Sequence, residues 1–168
     1  MPIHVRPATE ADLPAILQLV REVVPLMNAG GNLQWDADYP NETVFRSDIA
    51  RRQLWVAELD GAVAGVAALT TDQDPEYADA DWEPGREAIV THRLAVAPGA
   101  QGRGVAAALL GQAERLAIER GLYLLRIDTN SENQATQRLF PKLGYRFAGE
   151  IGLKYRPGLR FFCYEKQL

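Results

Sequence analysis

Residues 93–110 read RLAVAPGAQGRGVAAALL, from Arg93 to Leu110. An alternating apolar segment stops at Pro98, crosses a loop bearing Gly99, Gly102 and Gly104, and resumes as an alanine-rich run of helical character. A loop between a strand and a helix start presents amides without partners at the positive end of the helix dipole, which suits a phosphate or pyrophosphate. Gly102 and Gly104 remove the side chains that would hold an anion off that backbone, and Ala106, Ala107 and Ala108 keep the helix start clear. A tight strand-to-helix turn would use glycines too. The pattern on either side has to decide.

Upstream, that pattern is an antiparallel meander. LWVAELDGAVAGVAALTT, Leu54 to Thr71, is a strand, an Asp60-Gly61 turn and a second strand; Ile89 to Val96 supplies the third. Further back, Ile3 to Arg6 reads as a short strand, and Thr9 or Asp12 caps a helix with the stripe Leu13, Ile16, Leu17, Val20 and Val24. Pro25 is expected to kink or stop that helix. NAGGNLQWDADYPN then forms a glycine-rich, aromatic loop before a helix from Glu42 to Arg52. Downstream, Gly104 to Arg120 reads as a helix closed by Gly121 and Leu122 to Asp128 as a buried strand, completing a right-handed β-α-β unit with parallel strands. A helix from Glu132 to Leu143, capped by Ser131 and ended at Gly144, precedes strands Tyr145 to Glu150 and Arg160 to Lys166. This order predicts one α/β domain over residues 1–168, with a mixed, mostly antiparallel sheet of about seven strands flanked on both faces by about four helices.

A chain of 168 residues with 47% hydrophobic content has room for one core of ordinary size. The net charge of −4 argues against the concentrated basic surface that a nucleic-acid partner needs. A single cysteine, Cys163, rules out an internal disulfide, and the histidines, His4 and His92, offer no zinc-ligand spacing. No apolar run reaches the ~20 residues of a membrane span, and MPIHVRPATEADL lacks the order of a signal peptide. A cytoplasmic, metal-free protein that binds neither nucleic acid nor membrane is expected, with the oligomeric state left open, a homodimer included. The acidic run TDQDPEYADADWEPGRE, Thr71 to Glu87, reads as a long surface loop.

Other phosphate loops compete for the glycines. G-x-x-x-x-G-K-[ST] is absent, which disfavours a P-loop nucleotidase. Gly102, Gly104 and Ala107 do satisfy the dinucleotide pattern G-x-G-x-x-A, with Asp128 ending the next strand where a ribose-binding acid would fall. That would make the protein a nicotinamide-dependent oxidoreductase. The preceding meander and the short chain remaining after Asp128 leave no space for a second mononucleotide half.

These residues resemble the GNAT superfamily of acyl-CoA-dependent N-acyltransferases. Gln101 to Ala106 match its Q/R-x-x-G-x-G/A loop, directly after a strand ending Leu94-Ala95-Val96, and NQATQRLFPKLGY is similar to its later helix ending in K-x-G-[FY]. The order of elements is similar over nearly the whole chain. The resemblance implies acetyl-CoA as co-substrate, with no metal. Its pantetheine arm would lie in a gap beside the fourth strand, bonding like an added strand to the backbone at Leu94 and Val96. The diphosphate would sit on the amides of Gln101, Gly102, Arg103, Gly104, Val105 and Ala106, with Arg103 adding charge at the rim. Asn130 and Asn133 fall where the family contacts the pantetheine, and both also suit turn or capping duty.

The sequence departs from the family where protons move. Val90 stands at the position of a glutamate base found in many members and Phe140 at that of a tyrosine acid; neither transfers protons. His92, two residues from Val90 and on the same strand face, is the candidate base, directly or through water; packing is the competing role. In LQWDADYPNE, Leu33 to Glu42, Trp35 and Tyr39 could form an aromatic wall while Asp38, Glu42 and Asp36 attract a cationic amine. Trp82 is a further candidate for the same cleft. The sequence therefore predicts acetyl transfer to a small-molecule primary amine in a ternary complex, with Cys163 a core residue rather than a nucleophile. A catalytically silent acyl-CoA-binding module is the alternative.

Overall fold

The computed structural model describes residues 2–168. Among them the chain runs β1 (Ile3–Pro7), α1 (Leu13–Ala29), α2 (Glu42–Ala50), β2 (Leu54–Leu59), β3 (Ala62–Thr70), β4 (Ile89–Val96), α3 (Val105–Glu119), β5 (Leu124–Asn130), α4 (Gln134–Lys142), β6 (Arg146–Leu153) and β7 (Arg156–Gln167). All the strands join one sheet in the order β1-β2-β3-β4-β5-β7-β6. Its neighbours are antiparallel except for β4 and β5, whose crossover through α3 makes them parallel. This is the mixed, mostly antiparallel sheet expected from the sequence. The Asp60-Gly61 hairpin also forms as expected, both residues having positive φ, 54° and 80°, as its tight turn demands.

The two faces carry separate cores. Leu109, Ala113, Phe140 and Leu116 from α3 and α4 pack on Ala67, Leu69, Leu125 and Ile127. On the other side, Ile16, Val20, Val24 and Phe45 from α1 and α2 cover Val56, Val66 and Ala68. A third cluster extends this second face over β5, β6 and β7.

The structure corrects the sequence reading in several places. Helix α1 continues through Pro25 to Ala29, because Pro25 is exposed and the carbonyl it leaves unpaired can bond to water. The cap of α4 is Asn133, whose Oδ1 accepts from the Thr136 N–H at 3.2 Å, rather than Ser131. Strand β7 starts at Arg156, not Arg160. The acidic run is a surface loop as expected, but one anchored from within: Tyr77, Ala80 and Trp82 are buried in the third cluster. Trp82 donates to the Tyr77 carbonyl (2.7 Å) and lies beneath the Arg126 guanidinium, 4.4 Å from its ring centroid. It seals a core instead of lining a cleft. Apolar residues interleaved with carboxylates gave the segment a misleadingly polar composition.

Candidate active site

The site begins at an irregularity in β4. Pairing with β3 is regular to His92 and Ala68, then skips and resumes at Ala95 and Val66. The skip is a β-bulge at Arg93, whose φ of 54° lies in the left-handed region. Side chains alternate along a strand, so the bulge leaves His92 and Arg93 together on the α1/α2 face and returns Leu94 and Val96 to the α3/α4 face, where both pack. On its other edge β4 pairs with β5 at only three positions, the last being Thr91 with Ile127. Beyond it the strands part, β4 staying with β3 and β5 with β7. The inner edge of β4 from residue 92 onward is left open, and an exposed strand edge is a template for an extended ligand.

The gap leads to the start of α3. Gly102 and Gly104 have φ of 76° and 86°, a region that side chains disfavour. A Cβ on Gly102 would meet nothing within 4 Å, so this loop is bare and accessible. Ala108 N–H makes the first helical bond, to Gly104 O at 3.0 Å, and the amides of Val105, Ala106 and Ala107 precede that ladder. Among the described residues no side chain caps this end. A cavity of about 390 Å³ joins the strand gap, the loop and the helix start. Backbone donors at a positive helix end, with no Cβ to bar approach, fit the diphosphate of a CoA thioester.

Most residues singled out from sequence meet here. Leu94, Ala95 and Val96 line the cavity from β4; Gln101, Gly102, Gly104, Val105 and Ala106 from the loop and helix; Asn133 from the start of α4. Trp35, Tyr39 and His92 line it as well. The others lie outside. Arg103 is exposed and turns toward Asp60, 3.5 Å away. Asn130 is buried in a turn, its Oδ1 accepting from the Glu132 N–H (2.9 Å). Asp36 accepts from the backbone N–H groups of Asp38 and Tyr39 (2.8 and 2.9 Å), and in the loop so formed Tyr39 reaches the cavity while Asp38 stays exposed. Glu42 pairs with Arg46 at 2.8 Å on the surface.

The cavity also holds Arg93, Asp74 and Tyr155, to which the sequence assigned no role, and Asp128, which it offered only as a ribose-binding acid. Arg93 donates from Nε and Nη2 to both oxygens of buried Asp48, each at 2.7 Å, tying the bulge to α2. Asp74, Asp128 and Tyr155 line the same space. Burial raises the pKa of both carboxyl groups. Two charges on one face of an otherwise apolar strand, Arg126 and Asp128, were the available signal. Arg126 is absorbed by Glu165 (2.9 Å); Asp128 is not neutralised by any cation in this way. Val90 is sealed in core with Tyr77 and Trp82, while Phe140 is buried against the rings of Tyr145 and Tyr164 (5.7 and 5.3 Å) at the wall of the cavity. Among the described residues there is no group of acidic, histidine or cysteine side chains able to hold a metal, and no helix long and apolar enough to cross a membrane.

Comparison with known proteins agrees with this geometry. Residues 21–145 match the model of the acetyltransferase (GNAT) family. An uncharacterized N-acetyltransferase of Mycobacterium tuberculosis is 28% identical over 99 residues, which is 59% of this chain and 56% of the relative, so the match spans little more than half of that protein. An L-methionine sulfoximine/L-methionine sulfone acetyltransferase of Pseudomonas aeruginosa is 30% identical over 158 residues, 90% of this chain and 84% of the relative. Among solved structures, a GNAT-family acetyltransferase from Streptococcus agalactiae superposes with a TM-score of 0.85 at 28% identity, covering 99% of this chain and 95% of that one. With a parted β4/β5 pair, a bared helix start and a family match over most of its length, this chain belongs to the acetyltransferase (GNAT) family.

Proposed function

We propose that residues 1–168 form one acyltransferase domain that moves an acetyl group from acetyl-CoA to the primary amine of a small molecule, by direct attack in a ternary complex. The observation that carries this reading is the single cavity joining the open edge of β4 to the bare start of α3. The Pseudomonas relative is named for acetylating L-methionine sulfoximine and L-methionine sulfone, which supports a small-molecule acceptor. Acetyl-CoA supplies an acetyl group activated as a thioester. The backbone at Leu94 and Val96 would hold its pantetheine arm, with Asn133 alongside, and the amides from Gln101 to Ala106 its diphosphate. A backbone N–H near Val96 would steady the developing oxyanion, and the two aligned substrates gain most of their rate from proximity.

No side chain on the α3/α4 face of the cavity titrates near neutrality: the polar groups there are Thr129, Thr136 and Asn133. The leaving thiolate therefore takes its proton from water. His92 is a proton acceptor on the route out of the site. Its Nε2 lies 2.9 Å from the Asp72 carbonyl, and a carbonyl only accepts, so Nε2 carries the hydrogen and Nδ1 keeps the free lone pair. His92→Gln is expected to slow turnover about tenfold, at the low end of acid-base effects, and to flatten the pH profile near neutrality. An unaltered profile makes His92 a packing residue.

Cys163 plays no covalent part: burial raises its thiol pKa, with Asp128 adding to the shift, so the nucleophilic thiolate is suppressed. Cys163→Ala is expected to cost about 1 kcal/mol of stability and to leave turnover intact. Loss of turnover with folding and CoA binding preserved would replace direct attack by a covalent route. The whole reading is tested by thiol release from acetyl-CoA across a panel of amino acids, diamines and arylalkylamines, alongside thermal shifts with CoA and NAD. CoA binding without thiol release from any amine would leave a silent acyl-CoA-binding module. Stabilisation by NAD where CoA has no effect would make the protein a nicotinamide enzyme.

A further inference from the structure

The sheet divides the cavity between two substrates. The face carrying Leu94, Val96 and Ile127 leads to α3 and so to the acetyl donor. The opposite face carries His92 and Arg93 from β4 and, by the alternation of β5, Asp128 directly across the widening gap. Thr91 and Ile127 are the last pair before the strands separate, so His92 and Asp128 are the first residues on either side of the opening. An acceptor entering from this face meets them where the two substrates come together.

Asp128 is held for use. Tyr77 Oη donates to its Oδ2 at 2.5 Å, and burial raises the Tyr77 pKa far enough that its phenol keeps the proton it donates. Among the described residues Oδ1 has no hydrogen-bond partner. Among the described residues no fully buried side-chain oxygen or nitrogen is left without a partner, and Asp128 is half-buried and lines the cavity. The free oxygen is therefore the one that meets the cavity. The groups around it are few. Tyr77 comes from the turn at residues 75–79, Asp74 from the segment after β3, His92 from β4, Cys163 from β7 and Tyr155 from the β6–β7 hairpin. Desolvation raises the Asp128 pKa; Tyr77 and His92 lower it, and Asp74 raises it. Arg93 is nearby but committed to Asp48. The acceptor side thus presents two carboxylates, with its guanidinium already paired.

We propose that Asp128 is the catalytic residue that binds the acceptor as an ammonium ion on Oδ1 and takes its proton, with Tyr77 as its positioning residue. This rests on the acetyltransferase reading above. It names the substrate class as cationic primary amines and fills the role that Val90 leaves vacant. An ammonium nitrogen loses two protons on becoming an amide. The first passes to Asp128 Oδ1, freeing the lone pair that forms the C–N bond at the thioester carbon. The C–S bond breaks with its electrons on sulfur, and the second proton reaches that sulfur through water, giving the free thiol. Asp128 returns its proton to solvent. A carboxylate with a raised pKa suits this work, since the gap between it and the amine is narrowed.

The test uses the full chain and the nearly isosteric Asp128→Asn, which keeps an oxygen for Tyr77. Thermal stabilisation by CoA should match the wild type, while thiol release with the best amine of the panel should fall at least about 100-fold. Tyr77→Phe removes a bond that favours the carboxylate, so the acid limb of the pH–rate profile should move to higher pH; a purely structural tyrosine would not move it. A binding readout stands apart from turnover: with CoA present, 2-phenylethylamine should stabilise the wild type more than 2-phenylethanol does, and Asp128→Asn should erase the difference. Wild-type turnover retained in Asp128→Asn overturns this inference alone. If the wild type releases no thiol with any amine, the acetyl-transfer reading falls and proton transfer to Asp128 falls with it; the amine-against-alcohol difference then decides the ammonium site separately. No such difference in the wild type overturns that site.

Discussion

Gly65→Ala is expected to lower the melting temperature by roughly 6–12 °C and to weaken CoA binding at a residue that touches no ligand. Gly65 lies on β3 opposite Val96, beneath the first turns of α3. A Cβ there would stand 2.5 Å from Val105 Cγ1, 3.1 Å from Leu109 Cδ1 and 3.2 Å from the Ala95 carbonyl. The first distance is impossible and the last involves backbone, so the helix must lift or the strand must bend. Overpacking of this kind costs about 3 kcal/mol, the upper part of its usual range, and for a domain of this size each kcal/mol moves the melting point by roughly 2–4 °C. Val105 is the first residue of α3, so lifting it displaces the amides proposed to hold the diphosphate. A scanning-calorimetry trace within 2 °C of the wild type would mean that α3 yields without resistance.

The second large effect falls on the loop itself. Gly102→Asp should weaken acetyl-CoA binding about 100-fold, roughly 2.7 kcal/mol, by placing a carboxylate against a diphosphate. Folding should suffer little. A Cβ at residue 102 has open space, and Asp is among the few residues that tolerate the positive φ of 76° found there. Gly102→Asn imposes the same backbone strain without the charge and should lose far less affinity. Equal losses in the two variants by isothermal titration would trace the effect to loop geometry and would detach the diphosphate from this turn.

The hairpin at Asp60-Gly61 and the β-α-β unit around α3 were legible because their signals are local. Two residues dictate the first, and a change in hydrophobic period followed by a helix-closing Gly121 marks the second. The glycine loop was legible for the same reason. Trp35, Tyr39 and Asn133 line the cavity, whereas Asp38 and Glu42, chosen for their charge, and Arg103 and Asn130, chosen from the family resemblance, lie outside it. Glu42 is drawn to Arg46, Arg103 to Asp60 across the β2–β3 turn, and Asn130 to the Glu132 N–H, and spacing does not encode such choices.

By itself, then, the order of residues determined the sheet, its one parallel pair and the bare helix start, since each follows from periodicity and from backbone freedom at particular glycines. Tertiary structure alone decided which polar groups line the α1/α2 side of the cavity. The bulge at Arg93, the burial of Tyr77 within an acidic run and the half-bonded carboxylate of Asp128 all arise from contacts between segments far apart in the chain. Desolvation and hydrogen bonding set the protonation of such groups, and both are properties of the packed surroundings rather than of the residue.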